Sequence, residues 1–336
     1  MRTFLIAALA VLLLSGCGED ESADSRSDAA LPDEQAATTS AADEVTDQAG
    51  DETADKTAEA DSGSEAPPPS PLTLELEDGT TLAYETFGQG DTAVVMLHCW
   101  GCNRQFWRHQ VAPLVNAGYR VVTLDLPGHG EAGRERDEWR VGDYARDVRE
   151  LIDELGLERV VLVGHSMGGP VAAMTAPLLD ERARGIVCVD TLHDAEFEWP
   201  EGMSERMARG FESDMAGALD GFLAQMFPPG TDPDLVAWIR EQALATDSEA
   251  LVDLMRDFGS IDQAAMLDAV QVPVRCINAR PEDERGMPTA VETNRRYVDF
   301  DVVLMDGVGH YPQLEAPERF NQHLLEMLAE LSDSNE

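Results

Sequence analysis

The chain has 336 residues and a formal net charge of −41, with 65 acidic side chains against 24 basic ones and Lys56 as its only lysine. So acidic a molecule repels phosphate backbones, which argues against nucleic acid as a partner. Hydrophobic residues make up 43% of the sequence, enough for a large core, but they are unevenly spread.

Taken in chain order, Arg2 is followed by the apolar run Phe4 to Leu14, which is too short for a permanent membrane span and has the form of an export signal. The next residues, Leu14-Ser15-Gly16-Cys17, resemble a bacterial lipobox. That resemblance implies cleavage before Cys17 and diacylation of this cysteine, which becomes the new N-terminus. With Gly18 rather than aspartate following, it also implies sorting to the outer membrane of a Gram-negative envelope, where several acyl chains give a stable anchor. Residues 18–70 hold no aromatic side chain and few large aliphatic ones, and they end in Pro67-Pro68-Pro69. Such a stretch cannot bury enough apolar surface to offset its ordering entropy, so it reads as a disordered acidic tether reaching roughly 40 Å or more.

Residues 71–336 suit one α/β domain. Strands are predicted at Leu72 to Leu76, Leu82 to Thr86, Ala93 to Leu97, Val121 to Asp125, Val160 to Val163, Ile186 to Asp190, Val274 to Asn278 and Val302 to Met305. The first two flank Glu77-Asp78-Gly79-Thr80, a hairpin signal, while later ones alternate with helical stretches such as Val141 to Leu155 and Pro170 to Leu179. This predicts an eight-stranded, mostly parallel sheet with helices on both faces and an antiparallel start. From about 191 to 270 the alternation stops, and a helical insertion carrying Phe211, Phe222, Phe227, Trp238 and several methionines reads as a cap. Its apolar, adaptable side chains suit both a cap core and an acyl pocket.

Gly164-His165-Ser166-Met167-Gly168-Gly169 joins a predicted strand to a predicted helix. Small residues at 164 and 168 permit a sharp reversal that lifts the Ser166 hydroxyl above the sheet, beside the free N–H groups of a helix start. A serine so placed becomes a nucleophile when a base removes its proton.

His98-Cys99-Trp100-Gly101 follows the third strand, Asp125-Leu126-Pro127-Gly128-His129-Gly130 the fourth, and Gly307-Val308-Gly309-His310 the eighth. In this order, with the Ser166 turn, they resemble the α/β-hydrolase superfamily over the whole of residues 71–336. The resemblance implies a serine hydrolase with Ser166 as nucleophile and His310 as base, His98 and His165 being confined to structural or site-shaping roles. It implies backbone N–H donors for the oxyanion at Trp100 and Met167, and no metal or organic cofactor. The acid has two family positions: Asp190, ending the sixth strand, is favoured, with Asp283 or Glu282 after the seventh as the alternative. Cys99 departs from the family's usual glycine and puts the path of the oxyanion loop in question.

The implied activity is carboxylic-ester hydrolysis on a small, apolar acyl substrate. Alternatives are another acyl bond (thioester, lactone, amide), a carbon–carbon bond, or a non-catalytic envelope binding module. Cys188 and Cys276 fall in predicted buried strands and read as small hydrophobes. The spacing Cys99-x-x-Cys102 is that of a redox pair, but without other features of a redox protein it is not read as one.

Overall fold

All eight predicted runs form strands in the computed structural model, which describes residues 70–280 and 287–333. The export signal, Cys17, the tether, Glu282 and Asp283 lie outside the described residues. The strands are β1 (Leu72–Glu75), β2 (Thr81–Phe87), β3 (Ala93–Leu97), β4 (Arg120–Asp125), β5 (Val160–His165), β6 (Ala183–Val189), β7 (Val274–Ala279) and β8 (Phe300–Met305). They form one sheet in the order β1-β2-β4-β3-β5-β6-β7-β8. β2 pairs antiparallel with β1 and β4, and every other pairing is parallel.

Parallel strands need crossovers, and the helices that supply them cover both faces, so the central strands are apolar throughout. Alternate side chains go to opposite cores. Val94 and Met96 of β3 pack with Trp107, Leu114, Phe320 and Leu324, whereas Val95 and Leu97 pack on the side of Tyr144, Val148 and Leu151. All eleven side chains are at most 1% exposed, each buried Val or Leu contributing about 1.5–3 kcal/mol to folding before entropy is counted.

The connecting helices in the first half are α1 (Val111–Asn116), α2 (Val141–Glu154) and α3 (Gly168–Thr175). α3 starts two residues before the predicted Pro170, because the Ser166 turn itself supplies the first helical residues. It passes into a 3-10 turn at Ala176–Leu178, where Pro177 has no N–H to continue the α pattern. Between β6 and β7 run five helices, α4 (Met203–Ser213), α5 (Met215–Leu223), α6 (Pro233–Ala245), α7 (Ser248–Phe258) and α8 (Gln263–Asp268). Aspartates cap four of them: Asp214, Asp232, Asp247 and Asp262 each accept a hydrogen bond from a first-turn N–H. After β7 come α9 (Val291–Asn294), β8, α10 (Pro312–Glu315) and α11 (Pro317–Asp333). The carboxyl ends of β3, β5, β6 and β8 thus deliver His98, Ser166, Asp190 and His310 to one edge of the sheet.

Candidate active site

Ser166 has a left-handed backbone, φ 51°, between β5 and α3. For a non-glycine residue this costs about 1–2 kcal/mol, and the flanking glycines make it attainable. A Cβ on Gly164 would collide with the Gly168 carbonyl, and one on Gly168 with the Leu97 carbonyl. The same closeness brings the end of β3 against the serine turn.

His310, reached from the serine turn through its neighbour His165, lies at the same edge. Its Nδ1 donates to Asp190 Oδ2 at 2.7 Å, and Asp190 Oδ1 accepts from Ala279 N–H at 2.9 Å, so the carboxylate is held at both oxygens. With its proton on Nδ1, a neutral His310 keeps Nε2 as the basic nitrogen. Burial pushes the Asp190 carboxyl up, but the bond and charge of His310, with His193 nearby and the Ala279 N–H, outweigh it and hold the pKa at about 2. The side chains of His310 and Asp190 are 18% and 11% exposed, so both are largely shielded from solvent.

The backbone around His310 is tied on three sides. Glu315 accepts from Gly309 N–H at 2.8 Å and from Tyr311 N–H at 3.0 Å, His310 N–H donates to Met226 O at 2.8 Å, and the His310 carbonyl accepts from His165 Nε2 at 2.6 Å. Gln313 donates to His165 Nδ1 at 3.1 Å, which leaves the His165 proton on Nε2. Burial, reinforced by neighbouring His310, lowers the His165 pKa to about 3. His165 is therefore a neutral strut between the serine turn and the base loop, and cannot itself act as base near neutral pH.

Trp100 lies in the turn after β3. Its indole packs against Phe211 and Phe222 at centroid distances of 4.9 and 5.6 Å, and Nε1 donates to Leu251 O at 2.9 Å, fastening the loop to α4, α5 and α7. Cys99 and Cys102 are joined by a disulfide across this turn, with Cα atoms 5.2 Å apart, whereas Cys188 and Cys276 are buried free thiols. The Cys99-x-x-Cys102 pair, whose spacing is not read as a redox motif, is thus a crosslink. Cys99 does not take a left-handed backbone; Gly101 does, with φ 69°, so the strain expected at Cys99 is absent. Among the described residues, neither the Trp100 N–H nor the Met167 N–H has a hydrogen-bond acceptor. Both residues are under 10% exposed, and buried N–H groups left unpaired in this way are rare outside functional sites.

The described candidates for nucleophile, base, acid and oxyanion donor fall at this edge: Ser166 and Met167 in the turn, His310 bonded to Asp190, and Trp100 alongside. Asp125 and His129, part of the motif after β4, serve the framework instead. Asp125 accepts from Arg104 N–H at 2.6 Å and Glu131 N–H at 2.9 Å and pairs with the Arg104 guanidinium. Not foreseen were the clamping by Glu315, the strut formed by His165 and Gln313, and the Ala279 N–H. The only signal for Glu315 was its place in the Tyr311-Pro312-Gln313-Leu314-Glu315 run after the base. Among the described residues no cluster of three His, Cys, Asp or Glu side chains could hold a metal ion.

A mostly parallel eight-stranded sheet with a serine on a strand–turn–helix elbow after the fifth strand and a histidine after the last defines the α/β-hydrolase class of fold. The chain belongs to the alpha/beta hydrolase family, whose pattern matches residues 94–323. It is 25% identical over 269 residues to the AB hydrolase superfamily protein YisY of Bacillus subtilis, spanning 78% of this chain and 98% of that one. It is 26% identical over 251 residues, 71% of this chain and 96% of the other, to a pimeloyl-acyl-carrier protein methyl ester esterase of Aeromonas hydrophila. Among solved structures, an esterase from Exiguobacterium antarcticum superposes with a TM-score of 0.68 at 21% identity, over 77% of this chain and 99% of that one, a likeness of fold. The protein is a hydrolase by family.

Proposed function

We propose that the protein is a lipid-anchored carboxylic-ester hydrolase of the cell envelope, using Ser166, His310 and Asp190. The observation that carries the reading is the 2.7 Å bond from His310 Nδ1 to Asp190 Oδ2 beside a serine in a left-handed turn. Ser166 Oγ attacks the acyl carbonyl while His310 Nε2 takes its proton, and Asp190 stabilises the resulting imidazolium. The oxyanion is bound by the N–H groups of Trp100 and Met167. His310 returns the proton to the leaving alkoxide, and water then releases the acid by the same steps. The acyl chain is accommodated in an apolar pocket under the helical cap. A methyl ester esterase among the relatives supports an ester as the bond cleaved. Cys17 carries the acyl anchor, and the acidic segment 18–70 spaces the enzyme from the lipid surface.

The test is hydrolysis of p-nitrophenyl esters of graded chain length, with fluorophosphonate labelling. Ser166→Ala is expected to lose activity by about 10³-fold or more and all labelling, with an unchanged fold; an active Ser166→Ala enzyme would remove the mechanism. Cys17→Ser is expected to move activity from the membrane to the soluble fraction, and its persistence in membranes would remove the anchor.

A further inference from the structure

The peptide joining Cys99 to Trp100 has two polar ends. Its N–H is the donor read above as half of the oxyanion hole, and its carbonyl faces the imidazole of His98. His98 Nδ1 lies 2.8 Å from Cys99 O, and His98 Nε2 lies 3.0 Å from Leu126 N. An amide N–H only donates, so Nε2 is the acceptor, and in the neutral ring the proton sits on Nδ1 and is donated to the Cys99 carbonyl. The ring is wholly buried, and burial lowers its pKa to about 4, which keeps it neutral under ordinary conditions. Among the described residues no peptide bond is cis, so the carbonyl and N–H of this peptide point opposite ways and fixing one aims the other.

The loop's other freedoms are already restrained. The Cys99 carbonyl also accepts from Cys102 N–H at 3.1 Å, the disulfide closes the same turn, and the Trp100 indole is bonded to the cap. These contacts hold the turn to itself and to the cap. Among the described residues, the hydrogen bonds that tie the Cys99–Trp100 peptide to the sheet framework run through His98 to Leu126, just after β4.

We propose that His98 is a positioning residue of the oxyanion hole: its Nδ1–H holds the Cys99 carbonyl and thereby directs the Trp100 N–H toward the acyl oxygen at Ser166. The inference rests on reading the Trp100 N–H as an oxyanion donor. Leu126 N–H, His98, the Cys99–Trp100 peptide and the substrate oxygen form a head-to-tail series in which each bond polarises the next. The series serves a charge that develops in the transition state, so it acts on kcat rather than on substrate affinity.

Two substitutions separate the two bonds of the ring. His98→Gln keeps an acceptor for Leu126 N–H and loses the donor to Cys99; His98→Asn keeps a donor at the Nδ1 position and loses the contact with Leu126. With p-nitrophenyl butyrate, His98→Gln is expected to lower kcat by about 10-fold or more, with KM within about twofold and Tm near wild type. His98→Asn is expected to retain most of kcat although its Tm falls. If kcat follows Tm in both variants, or stays at the wild-type value in His98→Gln, His98 is a packing residue and the proposal is wrong. Should neither variant fold, nitrogen NMR of the wild-type histidines decides: an Nδ1–H tautomer at His98 supports the assignment and an Nε2–H tautomer overturns it. A wild-type protein that neither hydrolyses esters nor takes a fluorophosphonate at Ser166 would fail the serine-hydrolase reading itself, and this inference with it. Active, labelled wild type beside an unaffected His98→Gln fails this inference alone.

Discussion

Asp190 combines a backbone φ of 45° with a carboxylate held at both oxygens, by Ala279 N–H and by His310 Nδ1–H. Aspartate and asparagine tolerate the left-handed region better than other side chains, and strain of this kind persists where the surroundings determine it and function uses it. Asp190→Asn therefore keeps the backbone, while its amide cannot stabilise an imidazolium. We expect kcat to fall by about 10³–10⁴-fold at unchanged Tm. The paired change Glu282→Gln, Asp283→Asn should leave kcat near wild type, and the reverse pattern in the same assay would transfer the acid to the loop after β7. The sequence left this choice open for a plain reason: carboxylates stood at both positions. What favours Asp190 is its meeting with a residue 120 positions away, and no local pattern encodes a pairing at that distance.

At the scale of the element, the turn from Cys99 to Cys102 is the part of the site least like a plain β-to-α loop, because it is crosslinked and fastened to three cap helices through one indole. Peptide mapping without reductant should recover Cys99 and Cys102 linked, with alkylation of both only after reduction. Cys188 and Cys276 should alkylate only on unfolding, since both are buried. Free Cys99 and Cys102 in native protein purified under oxidising conditions would remove the crosslink. The strands were legible because a parallel sheet covered on both faces writes itself as short apolar runs between turn residues, as in Val160 to Val163. The serine elbow was legible because its glycines answer to local steric contact. The crosslink, the Glu315 clamp and the bonding of His98 were not, since cysteine, glutamate and histidine have many ordinary uses and their partners here are fixed by tertiary approach.

For the molecule as a whole, burial of His98, His129 and His165 at pKa values of about 4, 3 and 3 has a cost in acid. The unfolded chain protonates all three below about pH 6.5, while the folded chain does not until pH 4 to 3, so stability falls as pH falls through this window. Asp147, which burial pushes up to about 6 despite its pairing with Arg136, opposes the trend with one proton. The net difference approaches two protons, a slope of up to about 3 kcal/mol per pH unit between roughly pH 6 and 4. Urea denaturation at pH 7, 6 and 5 should show progressively lower midpoints, and equal midpoints would contradict the buried neutral state of these rings. The strut from His165 to the His310 carbonyl has a consequence in time as well as in space. A ribosome releases the serine turn some 140 residues before the base loop, so a growing chain has a hydroxyl on its sheet long before anything can remove its proton. Under the proposed mechanism, reactivity would arrive only when β8 docks beside β7 and the final loop closes onto the turn, so incomplete chains would leave esters around them untouched.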